Sequence, residues 1–293
     1  MQVRWNEDRC ILCPKTGPLT IEHIIPEAIG GILTAPFLCK PCNDKLGERV
    51  EAAVKGDPSI RLAIEALRSR LPKLAATIAE GQPYIAESPR GKVQGILKKG
   101  DFRVRATQEP DGSIIQPTPK GRQYIEKRLR KSGADEVTIQ LSLRRFDDAP
   151  DNVPIQLNER LSVVKWSIGS LDPVLTGPFL KDEVLLKIAF EFLACHLCTT
   201  IYRDDYPLSE IRKVLSCERA VQDSYRIEHL HAESYQAFHG LAFEGNQPHA
   251  IVQIRLFGWL AFRVHFLRIA VEGPRFIYTH QLDQGKDSWD RIA

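Results

Sequence analysis

The chain has 293 residues, 43% of them hydrophobic, and a net charge of only +3. That length exceeds a typical single domain and the apolar content supplies a real core, while the charge is too small to announce nucleic-acid binding by itself. No run approaches the ~20 apolar residues of a membrane span, the opening MQVRWNEDRC carries no cleavage signal, and seven cysteines are an odd number for a disulfide framework, so a cytoplasmic protein with no membrane contact is expected.

The first element in the chain is a pair of knuckles, Cys10-Ile-Leu-Cys13 and Cys39-Lys-Pro-Cys42. Each aims two thiolates at one ion, and the insert lets the chain return, so the four cysteines predict a tetrahedral zinc site. Closed by four thiolates, that zinc keeps no open position for water or substrate, and its role is structural. Between the knuckles, Glu22 and His23 adjoin on the β-branched run Ile21–Ile25. Gly30-Gly31 reads first as a tight turn between two short strands, with close approach of a DNA backbone as the second reading. Asn43 falls where the second knuckle starts a helix. An imidazole titrates in the range needed to deprotonate a water beside a phosphate, and a carboxylate and a carboxamide offer the one or two oxygens that Mg²⁺ takes from a protein. The cysteines alone fit a non-catalytic finger equally well, and a histidine beside a glutamate is also a common local pair.

Asp57-Pro58-Ser59 predicts a helix start, followed by a buried stripe at Ile60, Ala63, Ile64, Leu67 and Leu71 that stops at Pro72. Residues 83–118 read as short strands, with Phe102 to Arg105 alternating and Pro110-Asp111-Gly112 as a hairpin turn. A basic helix is expected over 120–131 and further strands over 136–168. Between Lys92 and Lys131 lie eleven basic against four acidic residues, a net +7, which leaves the rest of the chain at −4. Such a patch is suited to neutralise phosphates, with Arg128, Arg130 and Lys131 as candidate DNA contacts, though an ordinary solvated face has the same composition. Asp182–Ile201 is apolar on nearly all faces and predicts a central buried helix, in which Cys195, His196 and Cys198 are core rather than ligands. Leu208-Ser209 caps a second helix. Glu228-His229-Leu230-His231 reads as surface, and the alternation from Val252 to Phe266 as sheet, broken near Gly258.

Glu22-His23 in the phrase EHIIPEAIGG, followed by Cys42-Asn43 and Gly47, resembles the HNH endonucleases over roughly residues 5–55. The resemblance implies a ββα-metal core with a treble-clef-like Cys₄ zinc site. It further implies His23 as general base, Glu22 and Asn43 as ligands of a catalytic Mg²⁺ or Mn²⁺, and DNA as substrate. Many members carry Asp where Glu22 stands. An asparagine that usually braces the histidine loop is absent, with Thr34 in its neighbourhood as a stand-in.

The expected fold class is α+β: a small ββα-metal zinc domain over 1–56, then a larger mixed α+β domain over 57–293, as one unit or two, for DNA engagement or assembly. Chains of this plan resemble bacterial HNH proteins of restriction or phage defence, in which a homo-oligomer or a defence partner is expected. A zinc-stapled DNA-binding module without catalysis, and an RNA-directed nuclease, stand as alternatives.

Overall fold

The computed structural model describes residues 1–88, 91–99, 101–104, 107–108, 114–150, 153–158, 161–166, 171–175, 180–202, 206–216, 223–230, 232, 234–244, 249–271 and 275–292. The protein is mixed α+β, as expected, and divides into two compact units: Met1–Ile78 with Leu175–Ala293, and Ala79–Val174.

In the first unit, β1 (Thr20–His23) and β2 (Thr34–Leu38) form an antiparallel hairpin that sets Glu22 opposite Ala35 and His23 opposite Thr34. The connection turns on Gly30, at φ 93°, and on Gly31, where an added Cβ would lie 1.9 Å from the carbonyl oxygen of Ile25. The glycine pair therefore serves the turn's own backbone. Helix α1 (Lys40–Leu46) starts from Cys39 in an extended conformation with Pro41 in its first turn, then runs on as a π-helical turn over Gly47–Glu51. Helix α2 (Pro58–Ala66) is capped by Asp57, whose Oδ1 accepts from the N–H groups of Ser59 (2.9 Å) and Ile60 (3.0 Å). The expected stripe from Ile60 to Leu71 is buried throughout, but it spans a break. Helix α2 ends at Ala66, and Pro72 opens α3 (Pro72–Ala79) as its first residue, where a missing N–H costs nothing.

The second unit holds β3 (Pro83–Ser88), β4 (Gly91–Lys98), β5 (Asp101–Val104), β6 (Thr107–Gln108), β7 (Ile114–Pro117), α4 (Thr118–Lys131), α5 (Glu136–Asp148), β8 (Pro154–Asn158), β9 (Leu161–Trp166) and β10 (Leu171–Pro173). They form two four-stranded sheets, β10-β3-β4-β5 and β6-β7-β9-β8, with β7 parallel to β9. Arg105 and the turn expected at Pro110-Asp111-Gly112 lie outside the described residues. Strands were expected from 136; instead residues 136–148 are helical. Asp135 caps this helix by accepting from Thr138 N–H at 2.7 Å, and Ile139, Leu143 and Phe146 make one buried stripe with Ile125 and Leu129 of α4. Val137 and Thr138 carried the strand signal, and packing overrode that propensity.

The chain then returns to the first unit with α6 (Asp182–Leu197), α7 (Tyr206–Leu215), β11 (Tyr225–Leu230), β12 (Phe238–Glu244), β13 (Ala250–Leu256), β14 (Leu260–Phe266), β15 (Arg275–Gln281) and β16 (Lys286–Ile292). The six strands form one antiparallel sheet, β11-β14-β13-β12-β15-β16, and α6 crosses its middle strands. Every residue from Val184 to Ala194 is buried. His196 stacks between Phe243 and Phe276, ring centres 4.7 and 4.5 Å away, as core packing requires, but Cys198 is exposed, so the expectation holds for only part of that run. Cys217 lies outside the described residues. Helix α7 begins at Tyr206, two residues ahead of the expected cap. Gly258, with Phe257, carries the positive φ that joins β13 to β14. Glu228 pairs across the sheet with Arg263 at 3.2 Å and His265 at 3.3 Å; His231 lies outside the described residues.

The expected boundary at 56/57 coincides with neither division of the chain. Cys10, Ile11, Phe37 and Leu46 belong to the same buried cluster as α6 and the six-stranded sheet. A module of about 50 residues buries too little apolar surface to stand easily by itself, and here it shares its core with residues 175–293.

Candidate active site and zinc centre

The sulfurs of Cys10, Cys13, Cys39 and Cys42 all lie within 4.8 Å of one another, and those of Cys13 and Cys39 are 3.6 Å apart. Four thiolates at Zn–S distances of about 2.3 Å on a tetrahedron stand roughly 3.8 Å apart, so the cluster fits zinc. Among the described residues it is the one set of three or more thiol, imidazole or carboxylate groups whose ligand atoms lie close enough together to hold one metal ion. The first knuckle is shaped by Cys10 N–H bonding Lys15 O (2.9 Å), the second by Cys42 and Asn43 N–H both reaching Cys39 O. A hydrogen bond from the Cys42 thiol is the main cause that lowers Cys10 to a pKa of about 5, against the opposing effect of burial; Cys42 is raised in return.

On the far side of α1 from Cys42, an open cleft of about 450 Å³ is lined by Ile21, Glu22, His23, Glu27, Asn43 and Glu51, among others. The structure therefore brings together Glu22, His23 and Asn43. The Asn43 amide donates to Thr20 Oγ1 (2.9 Å) and to Ile21 O (3.2 Å), clamping α1 to β1 and leaving Oδ1 without a donor among the described residues. The His23 imidazole has no hydrogen-bond partner among the described residues and is half-buried at the cleft. Thr34 lies opposite it, with its own backbone tied to Met1 and Val3.

Glu22 faces inward. It is 4% exposed, and its Oε1 lies 2.6 Å from the Nζ of Lys187, a side chain with no exposure at all, in the middle of α6. The same ammonium meets Glu51 Oε1 at 2.7 Å and Glu191 Oε2 at 3.0 Å, and it donates to the carbonyl oxygens of His23 and, at 3.4 Å, Ile24. Burial acts to lower the Lys187 pKa, but the carboxylates of Glu191, Glu22 and Glu51 outweigh it and hold the ammonium charged. Burial raises Glu191 well above the ordinary carboxylate range and raises Glu22 as well, with Lys187 opposing both. Three carboxylates face one cation, and the buried Glu191 is the acid best placed to take up a proton. Sequence reasoning missed Lys187, Glu191 and Glu51. The available signal was a Lys and a Glu spaced i,i+4 inside an otherwise apolar helix, since buried charges require partners.

A second cleft, of about 470 Å³, adjoins the zinc ligands and includes the side chains of Arg9, Lys45, Arg212 and Lys213. Arg212 donates to the carbonyl oxygens of Ile11 (3.2 Å) and Ile201, and the Tyr202 hydroxyl donates to Arg9 O at 2.6 Å, so α7 and the segment before it fasten the first knuckle. Arg128, Arg130 and Lys131 lie in the other unit, in the last turn of α4. Arg130 is ion-paired to Glu126 (3.1 Å) and Glu136 (3.0 Å), and Arg128 Nε donates to Tyr124 Oη at 3.1 Å.

A β-hairpin and a helix clasped by two cysteine knuckles, with a histidine at the strand end facing the helix, define a ββα zinc module. Residues 10–58 match the family model described as HNH endonuclease. No curated protein and no solved structure matches the chain. No helix among the described residues is long and apolar enough to cross a membrane.

Proposed function

We propose that the protein is an endonuclease that hydrolyses phosphodiester bonds of DNA in the cleft between β1 and α1. The observation that carries this reading is the convergence of His23, Glu22 and Asn43 on one open cleft, on a hairpin stapled by four cysteines. His23 is the general base. Its imidazole, without a hydrogen-bond partner among the described residues, is free to take a proton from water. The cleft oxygens suit a hard divalent ion, Mg²⁺ or Mn²⁺, held by Asn43 Oδ1 and by Glu22 through the oxygen not engaged by Lys187. When bound, such an ion supplies charge stabilisation for the phosphorane and the leaving 3′ oxygen. The zinc stays structural. Arg128, Arg130 and Lys131 supply part of the electrostatic attraction to DNA. On its resemblance in plan we assign the protein to bacterial restriction or phage defence, in the cytoplasm.

Purified protein should relax supercoiled plasmid, with EDTA abolishing the reaction. His23→Ala should lower the rate by about 10²–10⁴-fold without loss of zinc. Glu22→Ala and Asn43→Ala should recover in part at high Mg²⁺ or with Mn²⁺, and His23→Ala should not. His23→Ala cleaving at the wild-type rate would leave the module as a DNA-binding finger, and preferential digestion of RNA would change the substrate.

A further inference from the structure

We propose that Lys187 is a positioning residue of the nuclease site, a brace delivered from α6, 164 positions along the chain from His23. The inference rests on the assignment of His23 as general base. Its own content is geometric: one buried ammonium meets the carboxylate of Glu22 and the carbonyl of His23, two consecutive residues of the strand that carries the chemistry. The donor to His23 O arrives at the last residue of β1, where the hairpin ladder ends and the chain bends toward the Pro26 turn. A carbonyl at that point, buried and without a donor, would be free to rotate the peptide and the imidazole with it. Lys187 removes that freedom. Asn43 fastens the same strand from the other side, through Thr20 and Ile21.

The same ammonium also orients Glu22. With Oε1 held at 2.6 Å, the carboxylate plane is set and its second oxygen has a fixed attitude. Glu51 joins from the π-helical turn that follows α1, so one cation ties together β1, the end of α1 and α6. The asparagine that usually braces the histidine loop in HNH endonucleases is missing here, and Lys187 performs that bracing from a different part of the chain. Its reach matters because displacing a reacting group by about 1 Å can cost on the order of 10²-fold in rate.

The test is the paired variant Lys187→Met with Glu191→Gln, which removes the buried cation together with its most deeply buried acid. Zinc content, circular dichroism and DNA affinity are measured first, at 10 °C, on the full chain. The expected result is a folded, zinc-loaded protein with KM for DNA little changed and kcat lower by about 10–100-fold. Added Mn²⁺ should restore only the part of the loss that comes from the loosened Glu22, since the base is displaced as well as the ion's ligand. A folded variant with wild-type kcat would make Lys187 a purely structural charge and overturn the proposal. Should the pair fail to fold, Lys187→Arg decides. A planar guanidinium cannot present one point charge to three carboxylates and a carbonyl, so kcat should fall at least about 10-fold at unchanged KM, and wild-type kcat in that variant overturns the proposal equally. Absence of cleavage by the wild-type protein itself would instead overturn the nuclease reading, and this inference with it. Wild-type cleavage with indifferent Lys187 variants overturns this inference alone.

Discussion

The zinc centre makes a prediction in which burial separates two ligands of the same metal. Structural zinc contributes about 10–16 kcal/mol of apparent binding free energy in small modules, so loss of one of four thiolates should cost roughly 3–4 kcal/mol. Cys10→Ser and Cys13→Ser should share that cost. They differ in what the hydroxyl meets. Cys10 is 1% exposed, beside Ile11 at 0%, whereas Cys13 reaches the surface. A buried hydroxyl without a good partner adds about 1–3 kcal/mol, while a surface replacement adds at most about 0.5 kcal/mol. In zinc-containing buffer both variants should therefore unfold well below wild type, Cys10→Ser at the lower urea midpoint. In EDTA, Cys13→Ser should coincide with metal-free wild type, and Cys10→Ser should remain about 1–3 kcal/mol below it. Urea unfolding with zinc measured by mass spectrometry reads all four quantities. Equal midpoints for the two variants in EDTA would refute the burial argument, and a zinc-free wild type as stable as the loaded protein would refute the zinc site.

Charge reversal at Arg128, Arg130 and Lys131 should lower DNA affinity and reduce the slope of log K against log salt by about two units rather than three, because Arg130 is already ion-paired to Glu126 and Glu136; a salt titration by fluorescence anisotropy, with an unchanged slope, would return the segment to a solvated helix. Burial holds His239 near a pKa of about 4, against its ordinary 6.5, with the Ile29 carbonyl acting the other way. The unfolded chain then takes up a proton as pH falls through 6.5 and the folded chain does not until about 4, so this stability is complete above pH 6.5 and declines toward pH 4. Between pH 7 and pH 5 the stability gap between wild type and His239→Gln should narrow by about 2 kcal/mol. Comparing the pair cancels the pH dependence of zinc binding, and a constant gap would show that His239 is not held neutral.

What the sequence made legible was local. The knuckles, the Glu22-His23 pair, the turn at Gly30-Gly31, the helix opened by Asp57 and the hairpin at Gly258 each depend on residues within a few positions of one another, and each stands in the structure where spacing and turn chemistry placed it. The misreadings have a common cause. Val137 and Thr138 stand at positions that the helix leaves in solvent, so their propensity says nothing about the stripe that packs. Leu67 and Leu71 continue the periodicity of α2 although the helix has ended, because a turn followed by a proline-started helix kept the same side buried. Lys187 was hidden for the opposite reason. Its partners lie 136 to 165 positions away, apart from Glu191, and no local rule connects α6 to the strand that it supports.

The same long reach extends to the packing of the hairpin. The hairpin and α1 contribute Ile11, Phe37 and Leu46 to a core whose other side is α6 and the six-stranded sheet. Their backbone is fastened from the same region, by Tyr202 at Arg9, Arg212 at Ile11 and Lys187 at His23 and Ile24. The four cysteines gather at one end of the hairpin, whereas the cleft is lined by Glu22, His23 and Asn43. The cysteine cluster does not itself reach the strand terminus at His23. Beneath the cleft, a fully buried ammonium among three carboxylates fixes the strand end, because moving it would strand charge in a medium that solvates charge poorly. The two ends of the module are therefore fixed by different means: the four cysteines gather the knuckles, and a lysine from the far half of the chain holds the strand end at His23.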